Sequence, residues 1–360
     1  MDSFETFPEQ AEAKRLLRAA LAEGPAHAYL LHGPPGVGKR AAALALAAEL
    51  LGSPERVQRL AHPDLYVLEP LGDQIRIDAV RELRRDLHMR PFEADRRVYV
   101  VLGADLMNED AADALLKDLE EPPPYAVIVL VANDLGPLPE TIRSRCQLVP
   151  FRRLTERAVR EEIAGRAPGL DEEERTTLAR LAAGRLDRLE RLLDPAAAEG
   201  WATLLDVARS VYRDPGFEPA DGADALMELA RARGTAAREA AQEALEGLDL
   251  PAREAEQRVR RAQRGAEREE LLAALEELEA WYRDLVVVGA GAEGAAVHSD
   301  RLDELREDAT RERLGGAERA CELVRETWRD AEELQVNASL ALEALLIQLR
   351  GALAGAAIPL

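Results

Sequence analysis

The residues with the clearest chemical potential form a glycine-rich segment, Gly33-Pro-Pro-Gly36-Val-Gly38-Lys39. The segment follows a short apolar run and precedes a run with helical character, which is the setting that a phosphate-binding P-loop requires. In such a loop the glycines let backbone N–H groups surround phosphate oxygens, and the lysine reaches the outer phosphates. The sequence therefore predicts a phosphate cradle built from Gly33, Gly36, Gly38 and Lys39.

Two positions that would hold a magnesium ion carry unsuitable residues. The residue after the lysine is Arg40, whose guanidinium has no lone pair to offer a cation. The apolar run 98–102 should end in carboxylates that bind the metal, but it ends in Leu102 and Gly103. Asp105 comes three residues late, and we expect it to cap the next helix. No metal site is predicted, and the cradle is either a vestigial loop kept for its fold or a weak site for ATP or ADP.

The elements around the cradle alternate between strand and helix patterns. Short runs rich in Val, Ile and Leu are typical of buried parallel strands. Apolar residues three or four positions apart are typical of helices. Strand, helix and strand in succession predict right-handed crossovers and a parallel sheet covered on both faces. The predicted strands are Ala28–Leu31, Val98–Leu102 and Ala126–Ala132. The predicted helices are one with apolar spacing at Leu16, Leu17 and Leu21, and those at Arg40–Leu51 and Asp105–Glu121.

The pattern becomes helical after about residue 150, where β-branched runs nearly vanish. We predict an α/β domain over 1–155, a small helical domain over 156–205 and a helical C-terminal domain over 206–360. The second boundary is placed at clusters of Pro and Gly in a charged setting.

Within the C-terminal domain, residues 220–270 are predicted to be a charged expansion made of largely solvated helix, and its length is compatible with a hairpin arm. From Leu271 to Leu285 apolar residues return to one face of a helix. The last helix, Ala338–Leu353, is apolar nearly all round and is predicted to be buried.

The overall composition limits the partners and the compartment. The 360 residues carry a net charge of -21, the wrong sign for a surface that neutralises many phosphates, so any DNA contact should be local or indirect. Two distant cysteines, Cys146 and Cys321, cannot supply a disulfide framework or a four-cysteine zinc site. The sequence shows no secretory signal and no long apolar stretch. We expect a soluble, cytoplasmic protein without zinc and without a membrane partner.

Four further segments have a distinctive sequence. They are His27-Ala-Tyr-Leu, His62-Pro-Asp64, Leu115-Leu-Lys-Asp-Leu-Glu-Glu-Pro-Pro123 and Ser144-Arg145-Cys146. Together with the P-loop, they resemble the AAA+ clamp-loader family of bacterial DNA polymerase III, and the likeness covers the first 155 residues well. The resemblance implies a RecA-like AAA+ domain, a small helical lid and a C-terminal helical collar.

Within that family the chain resembles the delta-prime class. Motor subunits of the tau and gamma type keep intact nucleotide motifs and the Ser-Arg-Cys triplet, delta lacks the triplet, and delta-prime keeps the triplet beside a degenerate site. The resemblance implies that Arg145 acts as an arginine finger on ATP held by a neighbouring motor subunit. The alternative is a surface arginine without a catalytic role. We expect Arg145 to follow a strand and to open a helix, a rigid place from which to cross a subunit boundary.

Other positions matched to the family carry weaker implications. Asn133, at the end of its strand, is either a polar sensor of phosphate or a partner for loop backbone groups. The lid position that holds a sensor arginine in relatives falls on Asp187, which puts that sensor in doubt. The four-cysteine zinc module of many relatives is missing from Leu51–Pro63. Cys146 is expected to be a packed side chain.

The expected function is that of a clamp-loader subunit. It would support ATP-driven loading of the sliding clamp onto primed DNA, with motor and delta subunits as direct partners and the clamp and primer-template DNA as indirect ones. No autonomous ATPase or polymerase activity is expected. Two alternatives stay open: an ATP-hydrolysing motor subunit of the same loader, and a purely structural scaffold. A branch-migration helicase is disfavoured because such motors also need intact metal ligands.

Overall fold

The computed structural model describes residues 3–70, 74–245, 252–333 and 337–354. It divides into two compact units, Met1–Glu190 and Arg191–Leu360. The predicted division into three domains remains a prediction. No helix in the described parts of the chain is long and apolar enough to cross a membrane.

A parallel sheet forms the centre of the first unit. Its strands are β1 (Ala28–His32), β2 (Leu65–Leu68), β3 (Arg97–Leu102), β4 (Ala126–Ala132) and β5 (Gln147–Pro150). They pair in the order β2-β3-β4-β1-β5, and every neighbouring pair is parallel. Because consecutive parallel strands need crossover connections, helices separate them along the chain.

The helices of the α/β part lie between these strands in sequence. Three of them were predicted from periodicity, and the fifth starts at an asparagine cap, since the Asn108 side chain accepts a hydrogen bond from the N–H of Ala111. The helices are α1 (Ala11–Glu23), α2 (Lys39–Leu51), α3 (Pro54–Gln58), α4 (Ile77–Leu87), α5 (Glu109–Glu120) and α6 (Glu140–Arg143).

The sheet separates two apolar cores. Alternate side chains of a strand point to opposite faces. In β1, Tyr29 and Leu31 pack with residues of α1 and α2, whereas Ala28 and Leu30 pack with residues of α4 and α5. This two-sided burial explains why β3 and β4 are continuous apolar runs.

The predicted fold class, α/β followed by all-α, is confirmed. The three predicted strands are present, and the edge strands β2 and β5 are additional. One helix prediction was wrong in detail: the segment 105–121 contains a short 3-10 turn, Ala104–Leu106, and α5 begins only at Glu109. Asp105 therefore does not cap α5; Asn108 does.

Three further helices follow β5: α7 (Glu156–Arg166), α8 (Glu172–Ala182) and α9 (Leu186–Leu193). Side-chain caps define the starts of the first two. Thr155 accepts a hydrogen bond from the N–H of Ala158, and Asp171 forms a reciprocal capping box with Glu174. The turn between α8 and α9 has Ala183 and Gly184 at positive φ, 49° and 76°. The first residue of α9, Leu186, is hydrogen-bonded to Gly36.

The second unit is helical throughout its described residues. The helices are α10 (Pro195–Arg213), α11 (Pro219–Leu245), α12 (Ala252–Gly289), α13 (Leu302–Asp308), α14 (Arg311–Glu333) and α15 (Ala338–Leu353). The predicted arm corresponds to parts of α11 and α12, and Gly234 of α11 lies against Glu267 of α12, as in a hairpin. The connection at 246–251 lies outside the described residues.

The prediction for the last helix was half right. One face of α15 is buried, including Leu342, Leu346 and Leu349. The opposite face is not: Leu340 is 62% exposed and Ile347 is 54% exposed. An apolar composition all round a helix thus did not require burial on every side.

The core of the second unit contains a buried ionic cluster. The ring of His298 is fully buried, and its Nδ1 lies 2.8 Å from Asp284 Oδ2. Its Nε2 contacts a carboxylate oxygen of Glu277. Both acidic residues belong to α12 and are buried. The ring of Trp281 packs edge-on against the imidazole, with 5.4 Å between ring centroids.

Candidate functional site

The glycine-rich segment lies where the sequence predicted it, between the end of β1 and the start of α2. Gly33, Gly36 and Gly38 have φ angles of 139°, 68° and 95°, which other residues rarely adopt. A side chain on Gly33 would also collide with the backbone of Phe151, since a Cβ there would lie 2.2 Å from the Phe151 carbonyl oxygen. These positions therefore require glycine for the loop conformation itself.

Lys39 is turned back onto its own loop. Its Nζ donates hydrogen bonds of 2.5 Å to the carbonyl oxygens of Gly33 and Pro34, and the residue is only 5% exposed. Burial lowers the pKa of Lys39 to about 8, although the carboxylates of Asp105 and Asp187 act in the opposite direction. The lysine that would meet a phosphate is thus held by backbone oxygens and lies in the field of two acidic side chains.

The turn before α9 sits directly on the P-loop. The N–H of Leu186 donates a 2.7 Å hydrogen bond to the carbonyl oxygen of Gly36. A Cβ on Gly36 would lie only 1.7 Å from Asp187 Oδ1, so this carboxylate packs against the glycine backbone. Arg185 holds the carboxylate with contacts of 3.1 and 2.7 Å. The sequence raised doubt about Asp187 as a sensor but did not predict this contact.

The two positions that would supply metal ligands hold residues that cannot bind a metal ion. Nη1 of Arg40 lies 2.6 Å from Glu69 Oε1, so a guanidinium paired with a carboxylate follows the P-loop lysine. Gly103, at the end of β3, has φ 65° and offers no side chain. Among the described residues, no group of three or more His, Cys, Asp or Glu side chains is arranged to hold a metal ion. The absence of zinc stays a prediction.

Asp105 and Asn133 are brought together beside this loop. Asp105 Oδ2 accepts hydrogen bonds from the backbone N–H groups of Asn133 and Asp134, at 3.0 and 3.1 Å. Burial raises the pKa of Asp105, although these N–H groups and Lys39 act against it. Asn133 is exposed. The structure places its backbone N–H beside Asp105, and its role as a sensor stays a prediction.

Arg145 is fixed at a surface by neighbouring groups. Its Nη1 donates to the carbonyl oxygen of Thr141 at 2.7 Å and to Ser144 Oγ at 3.4 Å. Its Nη2 lies 2.5 Å from Glu120 Oε1, and one third of the side chain is exposed. All of these partners lie outside the P-loop. The pair with Glu120 joins the Leu115–Pro123 segment to the Ser144-Arg145-Cys146 segment.

The predicted order of the secondary-structure elements on either side of Arg145 was wrong. The residue does not follow a strand and open a helix; it follows the one-turn α6 and precedes β5. The rigidity is nevertheless present, because the carbonyl oxygen that holds Arg145 belongs to α6. The neighbouring Cys146 packs among apolar side chains, and burial raises its thiol pKa to about 12, so it is not a reactive thiolate.

The sequence of the α/β part matches a known family. Residues 9–155 match the family described as DNA polymerase III, delta subunit. DNA polymerase III subunit delta' of Pseudomonas aeruginosa is 43% identical over 136 residues, which are 34% of this chain and 42% of that protein. The Bacillus subtilis subunit delta' is 35% identical over 149 residues, 38% of this chain and 45% of that protein.

A second type of relative matches the same part of the chain. DNA polymerase III subunit tau of Bacillus subtilis is 33% identical over 158 residues, which are 41% of this chain and 28% of that protein. In each of these three comparisons the chain spans less than half the length of the relative. The similarity therefore concerns the P-loop domain.

Proposed function

We propose that the chain is the delta-prime subunit of a clamp loader, because its residues 9–155 match the family described as DNA polymerase III, delta subunit. In this role it supports ATP-driven loading of the sliding clamp onto primed DNA. It supplies Arg145 to ATP bound by a neighbouring tau or gamma-type motor subunit, and it assembles with those subunits and with delta. A replication subunit of this kind would work in the cytoplasm.

The proposal rests on the contacts and the partial exposure of the Arg145 side chain. The guanidinium is anchored by Thr141 and Glu120, yet one third of the side chain faces solvent. An arginine can form paired hydrogen bonds to phosphoryl oxygens as their charge develops, which a hydrated ammonium does less well. An anchored, partly exposed arginine at a domain surface is what a finger acting on another subunit requires.

The nucleotide site of the chain itself supports an accessory role. Mg²⁺ in P-loop enzymes is held by a hydroxyl after the lysine and by a carboxylate at the end of the third strand. Here Arg40 pairs with Glu69, and Leu102 and Gly103 end β3. Arg40 thus places a cation where one metal ligand would lie, and the carboxylate ligand is missing. Without Mg²⁺, the site lacks the charge stabilisation that phosphoryl transfer needs.

The purified chain should show no Mg²⁺-dependent ATP turnover above a buffer control. Neither Arg40 nor Leu102 can bind the metal, so no step activates water against the γ-phosphate. A phosphate-release assay measures this, with the Lys39→Ala variant as the background. Steady turnover that disappears in Lys39→Ala would identify the chain as a motor subunit. Weak nucleotide binding without turnover is compatible with the accessory role.

Mixing the chain with tau or gamma-type motor subunits and delta should produce a single larger species. Size-exclusion chromatography with light scattering measures the mass, and each pair of components should be tested separately. The control is the same mixture without delta. A chain that elutes alone in every mixture would contradict the proposed assembly, whatever its nucleotide chemistry.

A further inference from the structure

The contact between Asp187 and the P-loop has no place in the function proposed so far. Gly36 is the central glycine of the cradle, and the glycines of a P-loop allow an anion to approach the backbone closely. In this chain the anion that approaches Gly36 is a carboxylate of the protein itself, packed against the glycine. The two residues are far apart in sequence, so the contact is a product of the fold.

The position of the Asp187 carboxylate is held from several directions. Arg185 contacts both of its oxygens, and the N–H of Arg188 donates to Oδ1 at 2.9 Å. The preceding residue, Leu186, is hydrogen-bonded to the Gly36 carbonyl oxygen. A rotamer change that moved the Asp187 carboxylate away from Gly36 would therefore break these hydrogen bonds.

The charges around the cradle agree with this arrangement. Lys39 lies in the field of the Asp187 and Asp105 carboxylates, which both favour its charged form. At the same time its Nζ is bound to the carbonyl oxygens of Gly33 and Pro34. A nucleotide phosphate arriving at Gly36 would have to displace one carboxylate and approach a second, while drawing the lysine away from two hydrogen bonds.

We propose that the Asp187 carboxylate takes the place of a nucleotide phosphate at Gly36, so that the chain closes its own cradle and excludes ATP and ADP. The P-loop then supports the turn before α9 by direct contact and does not bind a nucleotide. This inference deepens the proposed accessory role and rests on it only for its biological purpose.

A simpler role for Asp187 has to be separated from this one. An acidic residue in the first turn of a helix interacts favourably with the helix dipole, and Asp187 lies in the first turn of α9. A residue that acts only in this way would affect the stability of α9 and leave the affinity of the cradle for phosphate unchanged. Nucleotide binding is therefore the readout that distinguishes the two roles.

The test is a calorimetric titration of the full chain with ATP and with ADP, without Mg²⁺ and then with it. The main variant is Asp187→Asn, which keeps the shape of the side chain and removes its charge, and Asp187→Ala is the second. Both should bind ATP at least about tenfold more tightly than the wild type, since one like charge beside the phosphates is gone. The matched control is Glu190→Gln, which removes a carboxylate of the same helix that pairs with Arg166 instead.

The gain in affinity must also depend on the cradle. Adding Lys39→Ala to Asp187→Asn should abolish it, and Glu190→Gln should bind like the wild type. The proposal is overturned if both Asp187 variants keep their circular dichroism spectra and bind no more tightly, or if the gain survives Lys39→Ala. Tight ATP binding by the wild type would overturn it as well. The titration uses the chain alone, so its failure is distinguishable from a failure of assembly or of Arg145.

Discussion

Replacing Arg145 with alanine should leave the assembly of a reconstituted loader intact and lower ATP hydrolysis at one motor site by about 10³- to 10⁵-fold. That range corresponds to about 4 to 7 kcal/mol of transition-state stabilisation. The pair of Arg145 with Glu120 is partly exposed, with side-chain exposures of 33% and 50%. Its contribution to folding should stay under about 1 kcal/mol. The variant should therefore fold normally and fail only in the partner's chemistry.

The measurement has to resolve a single site. In the proposed loader, motor sites that do not adjoin this chain would keep their own arginines, so bulk hydrolysis should fall only in part. Single-site turnover and clamp loading should be followed together, with DNA and clamp present. Arg143→Ala is a suitable control, because Arg143 is the last residue of α6, two positions before Arg145. A loss of only a few per cent in Arg145→Ala would make Arg145 structural and favour the scaffold alternative.

Two further variants separate charge from geometry. Arg145→Lys keeps the positive charge and loses the planar fork, so it should recover little of the lost turnover. Glu120→Gln removes the anion that orients Arg145 Nη2 but leaves the bond of Nη1 to the Thr141 carbonyl oxygen. Because one exposed ion pair contributes about 1 kcal/mol at most, turnover should fall only about fivefold. An equal loss in Glu120→Gln and Arg145→Ala would mean that Glu120 takes part in the site itself.

Local signals made the P-loop and the central strands predictable. The glycines of the loop are required by their own backbone angles, and β1, β3 and β4 are continuous apolar runs because both faces of the sheet are covered. The edge strands have only four residues each, and in β5 just Val149 is buried. A pattern of that length cannot be told from a loop. For the same reason the order of α6, Arg145 and β5 was predicted the wrong way round.

Contacts between residues far apart in the chain could not be predicted from the sequence. Asp105 was expected to cap a helix, but its carboxylate binds the backbone of Asn133 and Asp134 at the end of a neighbouring strand. The sequence showed that Asp187 replaces an arginine, and only the fold shows that its carboxylate reaches Gly36. In both cases the residue type was noticed and the partner was not, because a side chain's partner depends on the packing of elements far apart in sequence.

The ionic cluster around His298 is expected to contribute strongly to the stability of the second unit. Burial by itself would lower the pKa of His298, but the hydrogen bonds to Asp284 and Glu277 outweigh it and raise this pKa to about 9 from 6.5. Burial likewise acts to raise the pKa of Asp284, and its hydrogen bonds with His298 lower it. The imidazolium therefore compensates carboxylates that are out of contact with water.

Substituting His298 with glutamine should lower the free energy of unfolding of this unit by about 3 to 5 kcal/mol. The variant removes a cation that contacts both buried carboxylates, and breaking a buried ion pair from one side has this cost. Asp284 keeps a longer contact of 3.4 Å with Arg283, whose side chain is about half exposed. All three tryptophans of the chain, Trp201, Trp281 and Trp328, lie in the second unit. Their fluorescence in a urea titration therefore follows the unfolding of this unit without a signal from the P-loop domain.

The dependence of stability on pH gives the sharper test. A group whose pKa is raised in the folded state stabilises most strongly below its unfolded pKa, here 6.5, and loses that effect as the pH rises through about 9. At 1.36 kcal/mol per pH unit, the wild type should lose about 3 kcal/mol between pH 6.5 and pH 9. The His298→Gln variant should lose little over this range. Arg260→Gln, which breaks an exposed pair with Glu256 on α12, should keep the wild-type slope and cost under about 0.5 kcal/mol. Equal slopes in the wild type and His298→Gln would show that His298 is neutral in the folded unit and that the carboxylates are compensated by other groups.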